Sequence, residues 1–239
     1  MGNKFYVPGE QRSGKVNDLF AAIAPRYDLV NDLQSFGVHR RWKRRLLGLA
    51  GLQAGERLLD LCCGTGDVSL SGARQKLRVC GLDFSGPMLA VAQRRGAASG
   101  LAQPPAWLRG DALRLPFGDG VFAAVTISYG LRNLADLDGG VREMLRVLRP
   151  GGRLLVLDFG KPTNRILRRL YFLYLRWFVP VFGRCFCGDA ETHAYIYESL
   201  LPYPDAAALA ERLRAAGCSA VRVIPLVGGC MSLHVATKG

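Results

Sequence analysis

The chain has 239 residues, of which 49% are apolar and 21% are charged, and its formal net charge is +13. This composition supports a substantial hydrophobic core and excludes a largely disordered chain, while the length suits one α/β domain and leaves little room for two. The excess of positive charge indicates attraction to an anionic partner, either nucleic acid or an anionic lipid surface, and composition does not choose between them.

The first residues lack the continuous apolar stretch of a signal peptide, and no run of ~20 uncharged apolar residues, as a membrane span requires, occurs in the sequence. We therefore expect a cytoplasmic protein. The seven cysteines show no C-x-x-C spacing. We interpret them as reduced thiols that are mostly buried, and we expect no metal site.

Strands and helices alternate along most of the chain. Residues 14–50 have a helical pattern that Pro25 interrupts, and a short strand then precedes each of several helices. Such alternation with apolar strands favours a mostly parallel sheet covered on both faces, whereas the short link between the last two strands requires them to pair antiparallel. The predicted strands are 57–61, 77–82, 106–108, 121–127, 153–157, 221–225 and 232–237, and the later predicted helices begin at Asp67 or cover 87–95, 138–148 and 205–216.

A glycine-containing loop joins the first predicted strand to its helix, in the sequence Asp60-Leu-Cys-Cys-Gly-Thr-Gly-Asp67. Gly64 and Gly66 let the backbone approach a ligand closely and adopt positive φ. A dinucleotide is disfavoured because Ser69 replaces the third glycine of its fingerprint. The two carboxylates that flank the loop also suit a cationic ligand better than a pyrophosphate. An ordinary strand-to-helix turn is the alternative for this stretch taken alone.

Three further strands end in small or acidic groups. Asp83 closes the second strand, where a carboxylate can accept hydrogen bonds from both hydroxyls of a ribose. Asp111, followed by Ala112, comes just after the third strand and is a candidate acceptor for an adenine amino group. Ser128 ends the fourth strand and faces the same crevice. Each residue alone is also explained as a cap or a turn, but together they favour S-adenosylmethionine, whose sulfonium and ammonium groups are cationic.

At these residues the sequence resembles class I methyltransferases, whose first motif is an acidic residue followed by alternating glycines. The sequence has Cys62 where many members carry glycine, and we expect this to tighten the loop without abolishing binding. Further segments over nearly the whole chain resemble the ubiquinone/menaquinone C-methyltransferases, and Tyr129–Asn133 is the most family-specific of them. These segments are 17–20, 24–28, 31–32, 42–43, 115–117, 128–133, 145–152 and 157–162.

The resemblance implies a doubly wound, mostly parallel seven-stranded sheet with one antiparallel strand near its edge. Residues 1–239 then form a single methyltransferase domain with four parts. These parts are an N-terminal helical substrate or lid segment (about 1–50), a cofactor-binding core (51–160), an aromatic and basic insertion (161–204), and a closing helix with a strand pair (205–239).

The resemblance also implies C-methylation of a reduced polyprenyl quinol, with demethylmenaquinol as the first candidate and related ubiquinone or phylloquinone precursors left open. Such an enzyme must orient the ring carbon and stabilise a phenolate. The candidate catalytic residues are Arg132 for the phenolate, Asn133 for a quinol oxygen, and Tyr27 for pocket closure or proton relay. Helix capping is the alternative for Arg132 and Asn133. The candidate cofactor-binding residues are Asp60, Gly64, Thr65, Gly66, Asp83, Asp111, Ala112 and Ser128.

The segment Arg165–Phe178 interleaves aromatic residues with arginines, as an interfacial amphipathic helix or an apolar lid does. A helix whose broad apolar face covers the sheet is an equally good explanation. Together with the net charge, the segment favours reversible docking on an anionic leaflet.

Two other functions compete with the quinol methyltransferase. An RNA methyltransferase would explain the charge, but the sequence has neither an Asn-Pro-Pro-Tyr motif nor an appended RNA-binding module, so we expect no nucleic-acid partner. A non-enzymatic membrane-binding protein with a relic fold would bind lipid but not S-adenosylmethionine. The sequence leaves the oligomeric state open and is compatible with a homodimer.

Overall fold

The computed structural model describes residues 32, 35, 37–181 and 191–239. Seven strands form one sheet in the order β3-β2-β1-β4-β5-β7-β6. Strand β7 runs antiparallel to both of its neighbours, and every other pair is parallel. This confirms the predicted doubly wound sheet. The strands are β1 (Arg57–Leu61), β2 (Arg78–Asp83), β3 (Ala106–Arg109), β4 (Phe122–Ser128), β5 (Leu148–Phe159), β6 (Cys218–Leu226) and β7 (Met231–Lys238).

Helices cover both faces of the sheet, and most of them begin within two residues of the predicted positions. Much of the predicted N-terminal helical segment, including Tyr27, lies outside the described residues. The helices are α1 (Val38–Ala50), α2 (Asp67–Arg74), α3 (Gly86–Ala97), α4 (Leu137–Val147), α5 (Arg165–Leu173), α6 (Glu191–Leu200) and α7 (Ala206–Ala215).

Two hydrophobic layers enclose the sheet. On one face, α1 packs Leu46 and Leu47 against Leu58 of β1 and Leu155 of β5. On the other face, α4 and α7 pack against the strands. Because helices cover both sides, the central strands are buried along nearly their whole length, which explains why β4 has no polar alternation.

One difference from the predicted strands lies at β5, which begins at Leu148 instead of Arg153. Leu148 pairs with Phe122, and the register then shifts before Ala124. The Pro150-Gly151-Gly152 sequence therefore lies within an irregular first part of the strand.

Strand β3 contributes an indole that packs against three glycines from three different elements. A Cβ atom at Gly66, in the loop before α2, would lie 2.5 Å from the Trp107 ring. A Cβ at Gly81 of β2 would lie 2.7 Å from the same ring, and one at Gly96 of α3 would lie 3.2 Å from its Nε1 atom. Real Cβ atoms do not approach so closely at the first two positions, so the indole fits only because these residues lack side chains.

Candidate active site

The carboxyl ends of the parallel strands form one edge of the sheet. Leu61 of β1 lies level with Leu82 on one side and Ile127 on the other. The next residue, Cys62, is therefore flanked by Asp83 and Ser128, the last residues of β2 and β4. A crevice at this edge is where open α/β sheets bind ligands.

The loop after β1 is held open by backbone geometry and by one carboxylate. Cys62, Gly64 and Gly66 have positive φ angles of 51°, 56° and 88°. Asp83 accepts a hydrogen bond from the Gly64 N–H through Oδ2 at 2.8 Å and another from the Ser85 N–H through Oδ1 at 2.8 Å. Burial raises the pKa of Asp83 although these hydrogen bonds oppose the shift. The carboxylate thus orients the loop, and Asp83 is half-buried at the crevice.

Other polar groups in this part of the site are suited to a ligand with several hydrogen-bonding groups. The Ser128 and Ser85 Oγ atoms are buried without a hydrogen-bond partner among the described residues. Asp111 accepts from the Leu113 N–H through Oδ1 alone, and Ala112 beside it is buried. A nucleoside with ribose hydroxyls and an adenine amino group fits such a set of acceptors and hydroxyls. Sequence reasoning did not single out Ser85 as a site residue.

The structure corrects the expectation that Asp60 faces the ligand as a free carboxylate. Asp60 lies level with Gly81 and Thr126, one residue before Leu61, and is only 1% exposed. Its oxygens accept hydrogen bonds from Ser69 Oγ at 2.6 Å and Thr126 Oγ1 at 2.9 Å. Asp60 therefore ties α2 and β4 to β1 beneath the loop.

Asp67, the second acidic residue that flanks the loop, is also committed to protein contacts. It accepts from Lys43 Nζ at 2.9 Å and from Arg95 Nη2 at 2.7 Å. Burial alone would raise the pKa of Asp67, but the two cations outweigh that effect and hold the pKa well below its ordinary value. The Arg95 guanidinium also donates to the backbone oxygen of Thr65, a buried loop residue. These two cations, which sequence reasoning did not assign, fix the end of the loop.

We predict that Asp60→Asn changes how stability depends on pH. Burial raises the pKa of Asp60 from 3.8 to about 6, against the opposing hydrogen bonds from Ser69 and Thr126. The protonated form is thus favoured in the folded state. The stability of the wild type is therefore fully present below about pH 4 and falls as pH rises toward 6. Between about pH 4 and 7, the variant should gain about 3 kcal/mol in free energy of unfolding relative to wild type, measured by urea denaturation. Parallel curves for the two proteins would contradict this.

Cys62 and the glycine of the Tyr129–Asn133 segment have complementary shapes. A Cβ atom at Gly130 would lie 2.5 Å from the Cys62 Cβ and 2.7 Å from its Sγ. Cys62 itself adopts a φ of 51°. Glycine reaches this φ without strain, which explains why many of the class I methyltransferases that the sequence resembles carry glycine at this position. The thiol therefore fills space that the absent side chain of Gly130 leaves open.

This contact predicts coupling between two substitutions. Gly130→Ala should lower the free energy of unfolding by about 1–3 kcal/mol, because the new methyl group overlaps Cys62. In the Cys62→Gly background the same change should cost much less, since the nearest remaining atom is Ile127 Cγ1 at 3.2 Å. Denaturation of the four proteins should give a coupling energy of at least about 1 kcal/mol. Additive effects would show that the overlap is relieved elsewhere.

Arg132 is buried and ion-paired. Its Nη1 donates to Asp158 Oδ1 at 2.6 Å and to the Tyr129 backbone oxygen at 2.7 Å, and its Nε donates to Ser199 Oγ at 3.3 Å. The guanidinium also lies over the Phe159 ring, 4.7 Å from its centroid. The Arg132 side chain is only 4% exposed and that of Asp158 only 1%. Because these contacts occupy the guanidinium, Arg132 does not present its charge to a phenolate, contrary to the expectation from the sequence. It instead fixes the backbone that follows β4.

The same segment positions Asn133 and Tyr129. The Asn133 Oδ1 accepts a short hydrogen bond from the Tyr195 hydroxyl, and its amide nitrogen lies 3.4 Å from the Tyr129 backbone oxygen. Tyr129 has a φ of 61°, which is strained for a residue with a side chain. Strain of this kind persists where surrounding contacts enforce it, commonly at functional sites. Sequence reasoning missed Tyr195 as the partner of Asn133, because the two residues lie on distant segments.

The histidine in the last strand does not present a free base to the crevice. His234 is fully buried, and its Nε2 lies 2.9 Å from the backbone oxygen of Ala206. Burial lowers its pKa. Within the described residues, no group of three or more His, Cys, Asp and Glu side chains is arranged to hold a metal ion.

The sheet order, the glycine loop after β1 and the acidic end of β2 define a class I methyltransferase. Residues 8–238 match the model of the ubiE/COQ5 methyltransferase family. The chain belongs to that family, and its cofactor is S-adenosylmethionine. It is 39% identical to the ubiquinone/menaquinone biosynthesis C-methyltransferase UbiE of Azotobacter vinelandii, over 97% of this chain and 93% of the relative.

Solved structures of low sequence identity share the fold. The [4+2]-cyclase SpnF superposes with a TM-score of 0.68 at 20% identity, covering 94% of this chain and 95% of SpnF. A SAM-dependent methyltransferase from Aquifex aeolicus gives a TM-score of 0.59 at 17% identity, covering 82% and 89% of the two chains. The same sheet thus carries different reactions, so the substrate must be argued from the site.

Proposed function

We propose that this enzyme methylates a ring carbon of a reduced polyprenyl quinol, and that demethylmenaquinol is its substrate. The observation that carries the proposal is the network around the strained Tyr129, in which Arg132 and Asn133 each donate to its backbone oxygen. This network adjoins Ser128 at the cofactor crevice. It therefore supplies rigid polar and aromatic groups beside the expected position of the transferred methyl group.

The chemistry requires positioning more than a strong nucleophile on the protein. A hydroquinone is electron-rich, and loss of a hydroxyl proton directs charge onto the adjacent unsubstituted ring carbon. S-adenosylmethionine supplies the electrophilic methyl group when it is bound. The protein must hold the ring carbon in line with that methyl group and exclude water. We assign Asn133 to orient a quinol oxygen and Arg132 to act as a positioning residue through Tyr129. Tyr27 remains a candidate for pocket closure.

Aromatic side chains near this network support a flat, apolar acceptor. The Tyr129 and Phe159 rings meet edge to face with centroids 5.9 Å apart, and Phe172 meets Tyr197 in the same way at 6.0 Å. Such rings suit a planar aromatic ligand. On these grounds we prefer the bicyclic demethylmenaquinol to a single-ring precursor.

A methyl-transfer assay tests the proposal. Labelled S-adenosylmethionine is supplied with chemically reduced demethylmenaquinone, with a benzoquinol bearing the same tail, or with bulk RNA. We expect label on the naphthoquinol ring carbon and at least a tenfold lower kcat/KM for the benzoquinol. A preference for the benzoquinol would replace the proposed substrate with a ubiquinone-type precursor. Label in RNA alone, with neither quinol accepted, would overturn the quinol function.

The Asn133→Ala variant, with Asn164→Ala as its control, tests the positioning role in the same assay. Asn164 caps α5 at an exposed position, where its side chain accepts from two backbone N–H groups. We expect Asn133→Ala to lower kcat at unchanged affinity for S-adenosylmethionine, and the control to leave kcat unchanged. Equal kcat values in both variants would remove Asn133 from the site.

A further inference from the structure

We propose that the outward face of residues 166–181 is a docking surface for an anionic lipid bilayer. A π-helical turn, Tyr174–Phe178, continues α5. Six large apolar side chains on this segment are between 55% and 74% exposed. We call them the apolar face. They are Ile166, Leu170, Leu173, Trp177, Phe178 and Val181.

The apolar face is not the surface by which the segment packs on the protein. Leu175 and Val179 are buried at 2% and 5% exposure and join the core between the sheet and its helices. The half-buried Tyr171 adds a hydrogen bond from its hydroxyl to the backbone oxygen of Cys230, at 3.1 Å. The segment is therefore anchored through one side, and the greater part of its apolar surface faces away from the sheet. Contiguous exposed apolar surface of this kind marks an interaction site.

The charges beside the apolar face identify the kind of partner. The four arginines of the segment, which are Arg165, Arg168, Arg169 and Arg176, are exposed and form no ion pair with any described residue. The chain itself carries a net charge of +13. A partner protein with an uncharged surface would therefore leave the charge of these guanidinium groups uncompensated. An anionic bilayer takes up apolar side chains below the headgroups and pairs arginines with the headgroup phosphates.

The apolar face lies near the same edge of the sheet as the cofactor crevice. Leu167 of α5 packs on Gly228, since a Cβ there would lie 2.7 Å from Leu167 Cδ2. Gly228 belongs to the turn between β6 and β7, whose Val227 is 62% exposed. This turn adjoins the carboxyl end of β5, because Gly160 donates to the Cys230 backbone oxygen at 2.8 Å. Docking would bring the crevice close to the lipid, which matters for catalysis only if the proposed quinol function holds.

Flotation of the full-length protein with vesicles tests the proposal without any quinone. The vesicles contain either phosphatidylethanolamine alone or equal parts of phosphatidylethanolamine and phosphatidylglycerol. We compare Trp177→Ser/Phe178→Ser with the matched control Val38→Ser/Leu201→Ser, whose side chains are 40% and 47% exposed elsewhere. We also compare Arg165→Gln/Arg169→Gln/Arg176→Gln with Arg74→Gln/Arg94→Gln/Arg222→Gln, which removes the same charge from exposed positions off the segment.

The expected result is binding to the anionic vesicles, reduced at least tenfold in both segment variants and less than threefold in both controls. Equal loss in a segment variant and its control would overturn the proposal. The proposal would also be overturned if the wild type bound no vesicles and light scattering showed it to be a dimer, while Trp177→Ser/Phe178→Ser was a monomer. In that case a second copy of the chain would cover the apolar face. A tail-less, water-soluble quinol assayed without vesicles reports the chemistry separately, so failure of docking and failure of the proposed function are distinguishable.

Discussion

Arg132→Ala should lower the free energy of unfolding by about 3–5 kcal/mol, because it leaves the buried carboxylate of Asp158 without its cation. The pair is nearly inaccessible to water, with side-chain exposures of 4% and 1%. A loss of this size is a large fraction of the stability of a typical domain. Urea denaturation followed by circular dichroism measures it. As a control, Arg212→Ala breaks an exposed pair with Asp138 and should cost less than about 1 kcal/mol.

A double variant separates the structural role of the pair from its positioning role. Arg132→Met/Asp158→Leu removes both charges and should recover part of the lost stability, because no unpaired charge remains buried. The recovery is incomplete because the backbone N–H groups of Arg132 and Phe159 lose Asp158 as their acceptor. It does not restore the hydrogen bond from Arg132 to the Tyr129 backbone oxygen. We therefore expect kcat to stay at least tenfold below wild type while the affinity for S-adenosylmethionine is nearly normal. Full recovery of kcat would show that the pair is only structural.

Asp83→Ala should weaken S-adenosylmethionine binding at least a hundredfold. The half-buried carboxylate already accepts hydrogen bonds from two backbone N–H groups, and in our assignment it also accepts from both ribose hydroxyls. Hydrogen bonds to a charged group contribute roughly 1.5–3 kcal/mol each, so loss of two corresponds to a factor of about 10² or more. Removing the carboxylate also frees the Gly64 N–H and loosens the loop. Isothermal titration calorimetry measures the affinity.

Two further variants interpret the Asp83 result. Asp83→Asn keeps one acceptor oxygen and should bind S-adenosylmethionine with an affinity between those of wild type and Asp83→Ala. If Asp83 only orients the loop, the affinities of the two variants should not be graded in this way. Asp119 is 79% exposed and, in the part of the chain that the structure describes, pairs with Arg146 alone. Asp119→Ala should therefore leave the affinity unchanged. An unaltered affinity in Asp83→Ala would restrict Asp83 to orienting the loop.

The sheet could be predicted from the sequence because its strands are short apolar runs bounded by turns, a local pattern. The ends of the strands could be predicted for the same reason, and β2 and β4 end at Asp83 and Ser128 as expected. The antiparallel pairing of β6 and β7 followed from the length of their connection, which is a constraint of geometry and not of residue type.

The parts of the site that sequence reasoning missed depend on distant partners. Asp60 accepts a hydrogen bond from Thr126, which lies 66 residues away. Asp67 accepts hydrogen bonds from Lys43 and Arg95. The burial of Arg132 is decided by Asp158, 26 residues later. A local pattern identifies an acidic or basic residue near a loop, but whether its charge faces a ligand or a protein partner depends on the packing of the elements. The outward orientation of the apolar face is a result of the same kind.

The packing of Trp107 on Gly66, Gly81 and Gly96 also limits the order in which mutations can accumulate. A Cβ atom at Gly81 or Gly96 meets the indole, so a substitution at either position is tolerated only after Trp107 has become smaller. Gly66 is restricted in addition by its positive φ of 88°. Once a smaller residue occupies position 107, positions 81 and 96 become permissive together, and restoring the tryptophan then requires their reversal. These positions of β2 and α3 should therefore vary together among related sequences, with the aromatic residue of β3 setting what they accept.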